Sequence, residues 1–221
     1  MEFFEDLKKT KIFSKATEFE CQAMMHCFKT RFRAYKKNDH IIQQGQPLED
    51  VVLIVKGSAI VQHIDSFGDV SILMRLKNGE LFGIESAYNN KPEHKDSLIA
   101  AEKTLVMFMN KHRLLTPCEN KCRRHDHVVK FIAEAMAESN LKLMSKLAHM
   151  RKKTTREKLL SYFTSLSKAA GSNYFELPFN KTELASYLSV DRSAMSNELS
   201  KMKEEGILDF DKRQFHLKNK A

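Results

Sequence analysis

Residues Asn180–Leu208 read NKTELASYLSVDRSAMSNELSKMKEEGIL, and this stretch decides the fold of the C-terminal part of the chain. Asn180 followed by Glu183 has the spacing of a capping box, which predicts a short helix over about Lys181–Leu188. A polar turn follows, and a second helix is predicted over about Arg192–Glu205. Two short amphipathic helices joined by a tight turn are typical of a helix-turn-helix.

The second helix of this pair has an apolar face and a polar face. Met195, Leu199 and Met202 recur at the helical period and predict the side that packs inward. The other side carries short hydrogen-bonding groups and cations, which fits the major groove of B-DNA; the alternative is a merely solvated surface. The predicted DNA-binding residues are Lys181, Thr182, Arg192, Ser193, Ser196, Asn197, Ser200, Lys201, Lys212 and Arg213.

The segments around the helix-turn-helix complete a small domain. Ile207–Phe210 and Gln214–Leu217 are predicted to form a β-hairpin with a cationic tip, placed to meet phosphates as a wing. Arg156–Ala169 is predicted to be a helix and Tyr174–Pro178 a short strand. The polar junction Arg151–Thr155 is the expected hinge before this domain.

The N-terminal half has a different sequence pattern. Residues 1 to about 38 are predicted to be helical, with apolar anchors at Phe13, Phe19, Met24, Cys27 and Phe28. Short apolar segments with glycines eleven or twelve residues apart then predict a β-sandwich or barrel. The predicted strands are His40–Gln44, Val51–Val55, Ala59–Ile64, Val70–Met74, Ser97–Ala101 and Thr104–Phe108.

A long helix is predicted between the two halves, because Asp126–Met150 contains neither Gly nor Pro. At 1.5 Å per residue it would be about 37 Å long, too long to be covered by one small domain. We expect a homodimer along Val129–Met150, a seam with a polar break at Ser139 and Asn140. The alternative is a helix packed within its own chain. The apolar stripe comprises Val129, Ile132, Met136, Leu143, Leu147 and Met150.

The bulk properties support a DNA partner. The chain has 221 residues and a net charge of +9, and more than half of this excess lies from Arg151 onward. A basic excess that coincides with a helix-turn-helix indicates a polyanion as partner. No apolar run approaches the length of a membrane span and the N-terminus lacks the pattern of a signal peptide, so a cytoplasmic protein is expected.

The order of glycine-punctuated β-roll, long helix and winged helix-turn-helix resembles the Crp/Fnr family of bacterial transcription regulators. The segments that carry the resemblance are Lys36–Gly45, Leu53–Gly57, Gly79–Gly83 and Arg156–Leu217. It implies an α+β fold: a jelly-roll-like β-roll, a double-stranded β-helix, in the sensor domain (1–125), a dimerisation helix (126–150) and a winged helix-turn-helix (151–221). It further implies a homodimer on a two-fold operator in double-stranded DNA, RNA polymerase as partner, and an effector in the β-roll.

The predicted recognition helix departs from the pattern of the family. Arg192 matches the arginine with which this helix starts in many members, and Ser196 matches a serine of the oxygen-sensing branch. Ser193 stands where many members have an acidic residue, and Asn197 where they have a second arginine. Because asparagine favours adenine over guanine, our hypothesis is an operator other than the family's common TGTGA-type half-site.

The effector site also departs from the cyclic-nucleotide members. Their cassette has Phe-Gly-Glu and, about ten residues later, an arginine that neutralises the cyclic phosphate; here Glu85 sits one place late and His94-Lys95 occupies the expected Arg-Ser position. We therefore expect an unidentified small molecule rather than cAMP, with a cyclic nucleotide or no effector at all as alternatives. The predicted pocket residues are Phe82, Gly83, Glu85, His94, Lys95, Ser97, Ser139 and Asn140.

Other functions find less support in the sequence. The four cysteines, Cys21, Cys27, Cys118 and Cys122, match no zinc or iron–sulfur spacing, so we expect reduced thiols and no metal, with redox or iron–sulfur sensing as the alternative. A cupin-like metalloenzyme needs clustered histidines, but His40 and His63 each stand alone. No catalytic residues are predicted, and the chain is not expected to be an enzyme.

Overall fold

The computed structural model describes residues 3–85, 94–116 and 123–218, with residues 115 and 123–126 described by their backbone. The chain divides into two compact units, one formed by residues 1–69 and 73–140 and the other by residues 70–72 and 141–221. The elements of the N-terminal part are helices α1 (Phe4–Lys8) and α2 (Glu18–Cys27), strands β1 (Arg31–Tyr35), β2 (His40–Ile42), β3 (Asp50–Lys56), β4 (Ser58–Ile64), β5 (Val70–Lys77), β6 (Leu81–Phe82), β7 (Ser97–Ala100) and β8 (Thr104–Asn110), helix α3 (Lys111–Leu115) and the long helix α4 (Arg123–Met150).

The strands form a β-roll of two four-stranded sheets, in the orders β1-β8-β3-β6 and β2-β7-β4-β5. Antiparallel pairing joins β3 to β8 and β4 to β7. The apolar run Val51–Val55 on β3 is fully buried because it faces two cores: Val52 and Ile54 pack among the strands, and the alternate residues pack against helices. A continuous rather than alternating apolar run is what burial on both faces requires.

The helices α1, α2 and α4 cover the outer side of β3. The buried side chains on this side include Leu7 of α1, Phe13 between the two helices and Phe28 at the C-cap of α2, and α4 adds Phe131 and Ile132 to the same core. Thr17 starts α2 with a capping box in which Thr17 and Glu20 exchange hydrogen bonds. This core fixes the start of α4 to the β-roll.

The structure confirms the six predicted strands and corrects the N-terminal prediction, because the helices described within residues 1–38 cover just Phe4–Lys8 and Glu18–Cys27. Residues 31–35, expected to be helical, form strand β1 at the edge of its sheet, paired with β8. Phe19, an expected anchor, is 79% exposed, whereas Cys21 and Met24 of the same helix are buried. The short elements β6 and α3 were not predicted.

The long helix is confirmed, with its start at Arg123 and its end at Met150. Ile132, a member of the predicted apolar stripe, is 2% exposed within the core of its own unit. Met150 is half-buried, and the other four members of the stripe are between about two-fifths and one-half exposed: Val129, Met136, Leu143 and Leu147.

The C-terminal unit is a winged helix-turn-helix. Its elements are α5 (Thr155–Ala170), β9 (Tyr174–Glu176), α6 (Lys181–Leu188), α7 (Arg192–Glu204), β10 (Leu208–Asp211) and β11 (Gln214–Leu217). The three strands form a sheet in the order β10-β11-β9. Thr154 starts α5 with a capping box, so the helix after the break at residues 151–154 has its own start signal. Gly171 ends α5 in the left-handed conformation, at φ 60°.

Candidate DNA-binding surface and sensor site

Local hydrogen bonds set the two helices of the helix-turn-helix. The Asn180 side chain accepts a hydrogen bond from the Glu183 N–H at 2.9 Å, and the Asn180 N–H donates to the Glu183 carboxylate at 2.8 Å. Asp191 caps α7 by accepting from the Ala194 N–H at 2.7 Å. Ser189, at φ 50°, reverses the chain between the helices. The predicted capping box and turn are confirmed.

The two faces of α7 are segregated as the sequence indicated. Met195, Leu199 and Met202 are completely buried, so one face is fixed in the unit's core. On the other face, Arg192, Asn197 and Lys201 are exposed, and no hydrogen bond or ion pair joins their side chains to the part of the chain that the structure describes. Their polar groups are therefore free to meet bases or phosphates.

The serines of the predicted set are partly engaged within the helix. The Ser193 hydroxyl donates to the Asp191 carboxylate at 2.5 Å, and the Ser200 hydroxyl donates to the Ser196 carbonyl at 3.2 Å. Ser196 itself is half-buried. Since each hydroxyl oxygen keeps acceptor capacity, Ser193 and Ser200 present acceptors rather than free donors.

The wing lies beside the start of α6. The ammonium group of Lys181 is 5.0 Å from the centre of the Phe210 ring on β10, and this ring stacks on Phe215. Lys212 is exposed at the tip of the hairpin, whereas the Arg213 Nε donates to the Leu177 carbonyl at 2.9 Å. Thr182 is exposed next to Lys181. The structure thus brings Lys181 to the wing, and Arg213 partly serves to hold the hairpin.

Two cations of this unit were missed in the sequence. Lys203 of α7 lies 5.2 Å from the Phe210 ring centre and 2.8 Å from an Asp209 carboxylate oxygen. Arg156, in the first turn of α5, binds Glu198 of α7 and Glu205, the C-cap residue of α7. Their partners are far along the chain or in another element, so no local spacing signals these contacts.

In the β-roll, five of the predicted pocket residues lie in one region. His94 is buried, its ring lies 4.4 Å from that of Phe82, and its Nε2 is 2.6 Å from a Glu85 carboxylate oxygen. Gly83, between Phe82 and Glu85, has φ 83° and approaches Leu48 so closely that a Cβ would lie 2.4 Å from a Leu48 methyl. Ser97 is buried and accepts a hydrogen bond from the Gln44 N–H at 3.1 Å.

The protonation of the His94–Glu85 pair follows from this geometry. Burial disfavours the charged imidazolium, but the hydrogen bond and charge of Glu85 outweigh it and raise the pKa of His94 above its ordinary value. Burial likewise opposes the carboxylate, yet the bond to His94 lowers the pKa of Glu85. In the charged form, the Nδ1–H of His94 donates to the Asp96 carbonyl at 3.1 Å, which also favours the imidazolium. The pair is therefore an ion pair at mildly acidic pH.

The other predicted pocket residues are not joined to this group. Lys95 is exposed, and Asn140 is exposed on α4. Ser139 donates to the Met74 sulfur at 3.9 Å. Within the described residues, no hydrogen bond, ion pair or ring contact connects Ser139 or Asn140 to His94 or Glu85.

The remaining motifs give no second site. Cys21 is buried and Cys27 is half-buried, while Cys118 and Cys122 lie outside the described residues. His63 binds Asp96 at 3.1 Å and His40 is exposed on its strand. Residues 3–85, 94–116 and 123–218 contain no group of three His, Cys, Asp or Glu suited to a metal ion. No helix in these ranges combines the length and apolarity of a membrane span.

Two family models match the chain, one in each unit. Residues 32–121 match the cyclic nucleotide-binding domain, and residues 157–221 match the Crp-like helix-turn-helix domain. The first match covers the β-roll with Phe82, Glu85 and His94, and the second covers α6, α7 and the wing. Comparison with curated protein sequences finds no match.

Solved structures share this fold at low sequence identity. A CooA variant from Carboxydothermus hydrogenoformans is 16% identical, with a TM-score of 0.77, over 96% of this chain and 93% of its own. The c-di-GMP-responsive regulator CLP from Xanthomonas campestris is 14% identical, with a TM-score of 0.75, over 90% of this chain and 99% of its own. FixK2 from Bradyrhizobium japonicum is 22% identical, with a TM-score of 0.68, over 86% of this chain and 93% of its own.

These comparisons agree with the architecture described above. A β-roll that matches the cyclic nucleotide-binding domain precedes a long helix and a winged helix-turn-helix with a free polar face on α7. The family and its neighbours are regulators rather than enzymes. The chain therefore belongs to the Crp/Fnr family of DNA-binding transcriptional regulators, with an effector-binding domain before its helix-turn-helix domain.

Proposed function

We propose that this regulator binds a two-fold operator as a homodimer and reads it with α7. The observation that carries the proposal is the exposed polar face of α7, where the side chains of Arg192, Asn197 and Lys201 make no hydrogen bond or ion pair with the described residues. In a two-fold dimer, two such helices enter successive major grooves about 34–36 Å apart. Lys181 and Lys212 flank this face and are placed to contact phosphates.

The dimer seam would run along the exposed face of α4. Val129, Ala133, Met136, Asn140, Leu143 and Leu147 are all exposed and follow one another in steps of four and three residues. That alternation is the seam spacing of a two-stranded coiled coil. Phe131, Ile132 and Val128 are buried on another side of the helix, so the seam face is not needed by the chain's own core.

Asn140 has a defined place in this seam. It is the one polar member among apolar or small residues in the six positions from Val129 to Leu147. A single asparagine in a parallel seam pairs with its counterpart and fixes register and the two-stranded state at some cost in stability. In this proposal Asn140, predicted as a pocket residue, serves the dimer, while Ser139 faces the β-roll.

The operator differs from the common TGTGA-type half-site in this proposal. Asn197 presents an amide that can bind adenine bidentately, and Ser193 presents an acceptor held by Asp191 rather than a carboxylate. Selection from random duplex DNA tests both the function and the site. We expect an inverted repeat whose half-sites lie one helical turn, about 10 base pairs, apart; enrichment of TGTGA, or of a site without two-fold symmetry, would contradict it.

The effector is proposed to be a small molecule other than cAMP. His94, which stands at the expected position of the phosphate-binding arginine, is buried and already bonded to Glu85. It cannot replace the bidentate fork that an arginine offers to a cyclic phosphate. Isothermal calorimetry with cAMP is the direct test, and binding in the micromolar range would refute this part.

The roles of the segments follow from these assignments. Residues 1–125 would sense the effector, residues 126–150 would dimerise, and residues 151–221 would bind DNA. RNA polymerase is the proposed partner at the promoter, and the cytoplasm the proposed compartment. Because basic side chains displace counterions from DNA, binding should weaken steeply with salt. A mobility-shift series from low to high salt that shows no such dependence would count against the proposed interface.

A further inference from the structure

One arginine joins the first turn of α5 to the recognition helix. The Arg156 guanidinium donates to Glu205 through both terminal nitrogens, at 2.7 and 2.8 Å, and its Nε donates to Glu198. Glu198 lies on α7, and Glu205 is the C-cap residue of this helix, about two turns further along the chain. A single planar group thus holds α7 at two points along its length.

The neighbouring lysine holds the other helix of the pair. The Lys158 ammonium donates to the carbonyls of Leu188 and Ser189, both at 3.2 Å. These carbonyls end α6 and begin the turn toward α7. The first turn of α5, immediately after the break at residues 151–154, therefore contacts both helices of the helix-turn-helix.

The apolar contacts of α7 do not define its rotation by themselves. Two of its three buried side chains, Met195 and Met202, are methionines, which adapt to different packings because they have three rotatable bonds. Apolar burial is also non-directional. An arginine–carboxylate fork, in contrast, requires a fixed angle and plane. Arg156 supplies a directional restraint of this kind on the rotation of α7 about its axis, beside the ion pair of Lys203 with Asp209.

We propose that Arg156 is a positioning residue for DNA recognition, because its two-point bond to Glu198 and Glu205 sets the rotation of α7 and hence the direction of Arg192 and Asn197. The inference rests on the proposed reading of DNA by α7. Base-edge hydrogen bonds depend on the direction of the side chain, whereas phosphate contacts tolerate displacement. Loss of the fork should therefore lower discrimination between sites more than it lowers affinity for DNA in general.

The key variant is Arg156→Lys, which keeps the charge but loses the fork. Its matched control is Lys168→Gln, which removes an exposed cation from the last turn of the same helix. Affinities are measured by fluorescence anisotropy on the duplex selected with the wild-type protein and on the same duplex with its half-site bases changed. We expect Arg156→Lys to lose on the order of tenfold in the ratio of these affinities, and the control to keep it.

Two further measurements separate positioning from other roles. The slope of log affinity against log salt should be unchanged in Arg156→Gln, because Arg156 contacts no phosphate in this proposal. A slope reduced by about 0.9 for each DNA-binding unit would identify a direct phosphate contact and overturn the proposal. The unfolding midpoint shows whether the unit stays folded, and Arg156→Lys carries the test if Arg156→Gln does not fold.

The outcomes distinguish this inference from the proposed function. If the wild-type protein selects an operator and Arg156→Lys retains its discrimination, only the role of Arg156 is overturned. A lowered unfolding midpoint with unchanged discrimination leads to the same conclusion, because it identifies a merely structural salt bridge. If the wild-type protein binds no DNA, the proposed function itself fails.

Discussion

Leu147→Ala is expected to weaken the dimer while leaving the folded protomer intact. Leu147 is 52% exposed in the single chain, so about half of its surface would be covered only by the partner helix. Full burial of a leucine stabilises by roughly 2 kcal/mol, so covering the exposed half contributes about 1 kcal/mol per protomer. Both protomers lose it, which gives about 2 kcal/mol and a dimer dissociation constant raised about 30-fold.

Leu141→Ala is the matched control, because Leu141 is 71% exposed on the same helix but does not follow the seam spacing. Its dissociation constant should stay within about threefold of the wild-type value. Sedimentation equilibrium over a concentration series gives both constants directly. Equal effects of the two substitutions, or no effect of Leu147→Ala, would refute the assignment of the seam.

Asn180→Ala removes the N-cap of α6, which costs about 1 kcal/mol and should lower the unfolding midpoint of the C-terminal unit by roughly 4–8 °C in a thermal scan; Asn180→Asp keeps an acceptor and should stay near the wild-type value. Arg192→Ala should reduce discrimination between operator variants, whereas Lys212→Ala should weaken all duplexes alike and lower the salt slope by about 1 per head. His94→Gln should cost stability chiefly between pH 4.5 and 6.5. Because its pKa is raised in the folded protein, His94 stabilises the fold fully at pH values below its ordinary pKa of 6.5. This stabilisation is lost as the pH rises through the raised pKa. Because its pKa is lowered in the folded protein, Glu85 stabilises the fold fully at pH values above its ordinary pKa of 4.5. This stabilisation is lost as the pH falls through the lowered pKa. A difference in unfolding midpoint that is the same from pH 4 to pH 9 would contradict the ion pair.

The helix-turn-helix was predictable because its signals are local. The capping box at Asn180, the turn at Ser189 and the period of Met195, Leu199 and Met202 all act within a few residues, and the structure reproduces them. Strand β1 was missed because Arg31–Tyr35 carries exposed polar side chains at a sheet edge, and its partner β8 is about seventy residues away along the chain. Local periodicity in the sequence cannot predict the pairing of two strands so far apart.

The functional surfaces also include features that local sequence patterns predict and features that they do not. The free face of α7 could be derived from helical spacing, since exposure follows from the position of the buried stripe. The bond of Arg156 to Glu198 and Glu205 joins residues 42 and 49 positions apart and depends on how α5 packs on α7. The hydrogen bond between His94 and Glu85 could not be predicted from the sequence either, because it depends on two separate segments lying close together in the fold.

The asparagine in the exposed face of α4 has a consequence for a cell that contains several proteins of this fold. If the seam forms as proposed, a partner helix with leucine opposite Asn140 would bury an amide without a hydrogen-bond partner. An unsatisfied buried polar group costs about 1–3 kcal/mol, which favours self-association over mixed pairs by roughly 5- to 150-fold. One side chain would thus keep separate regulatory circuits from exchanging subunits.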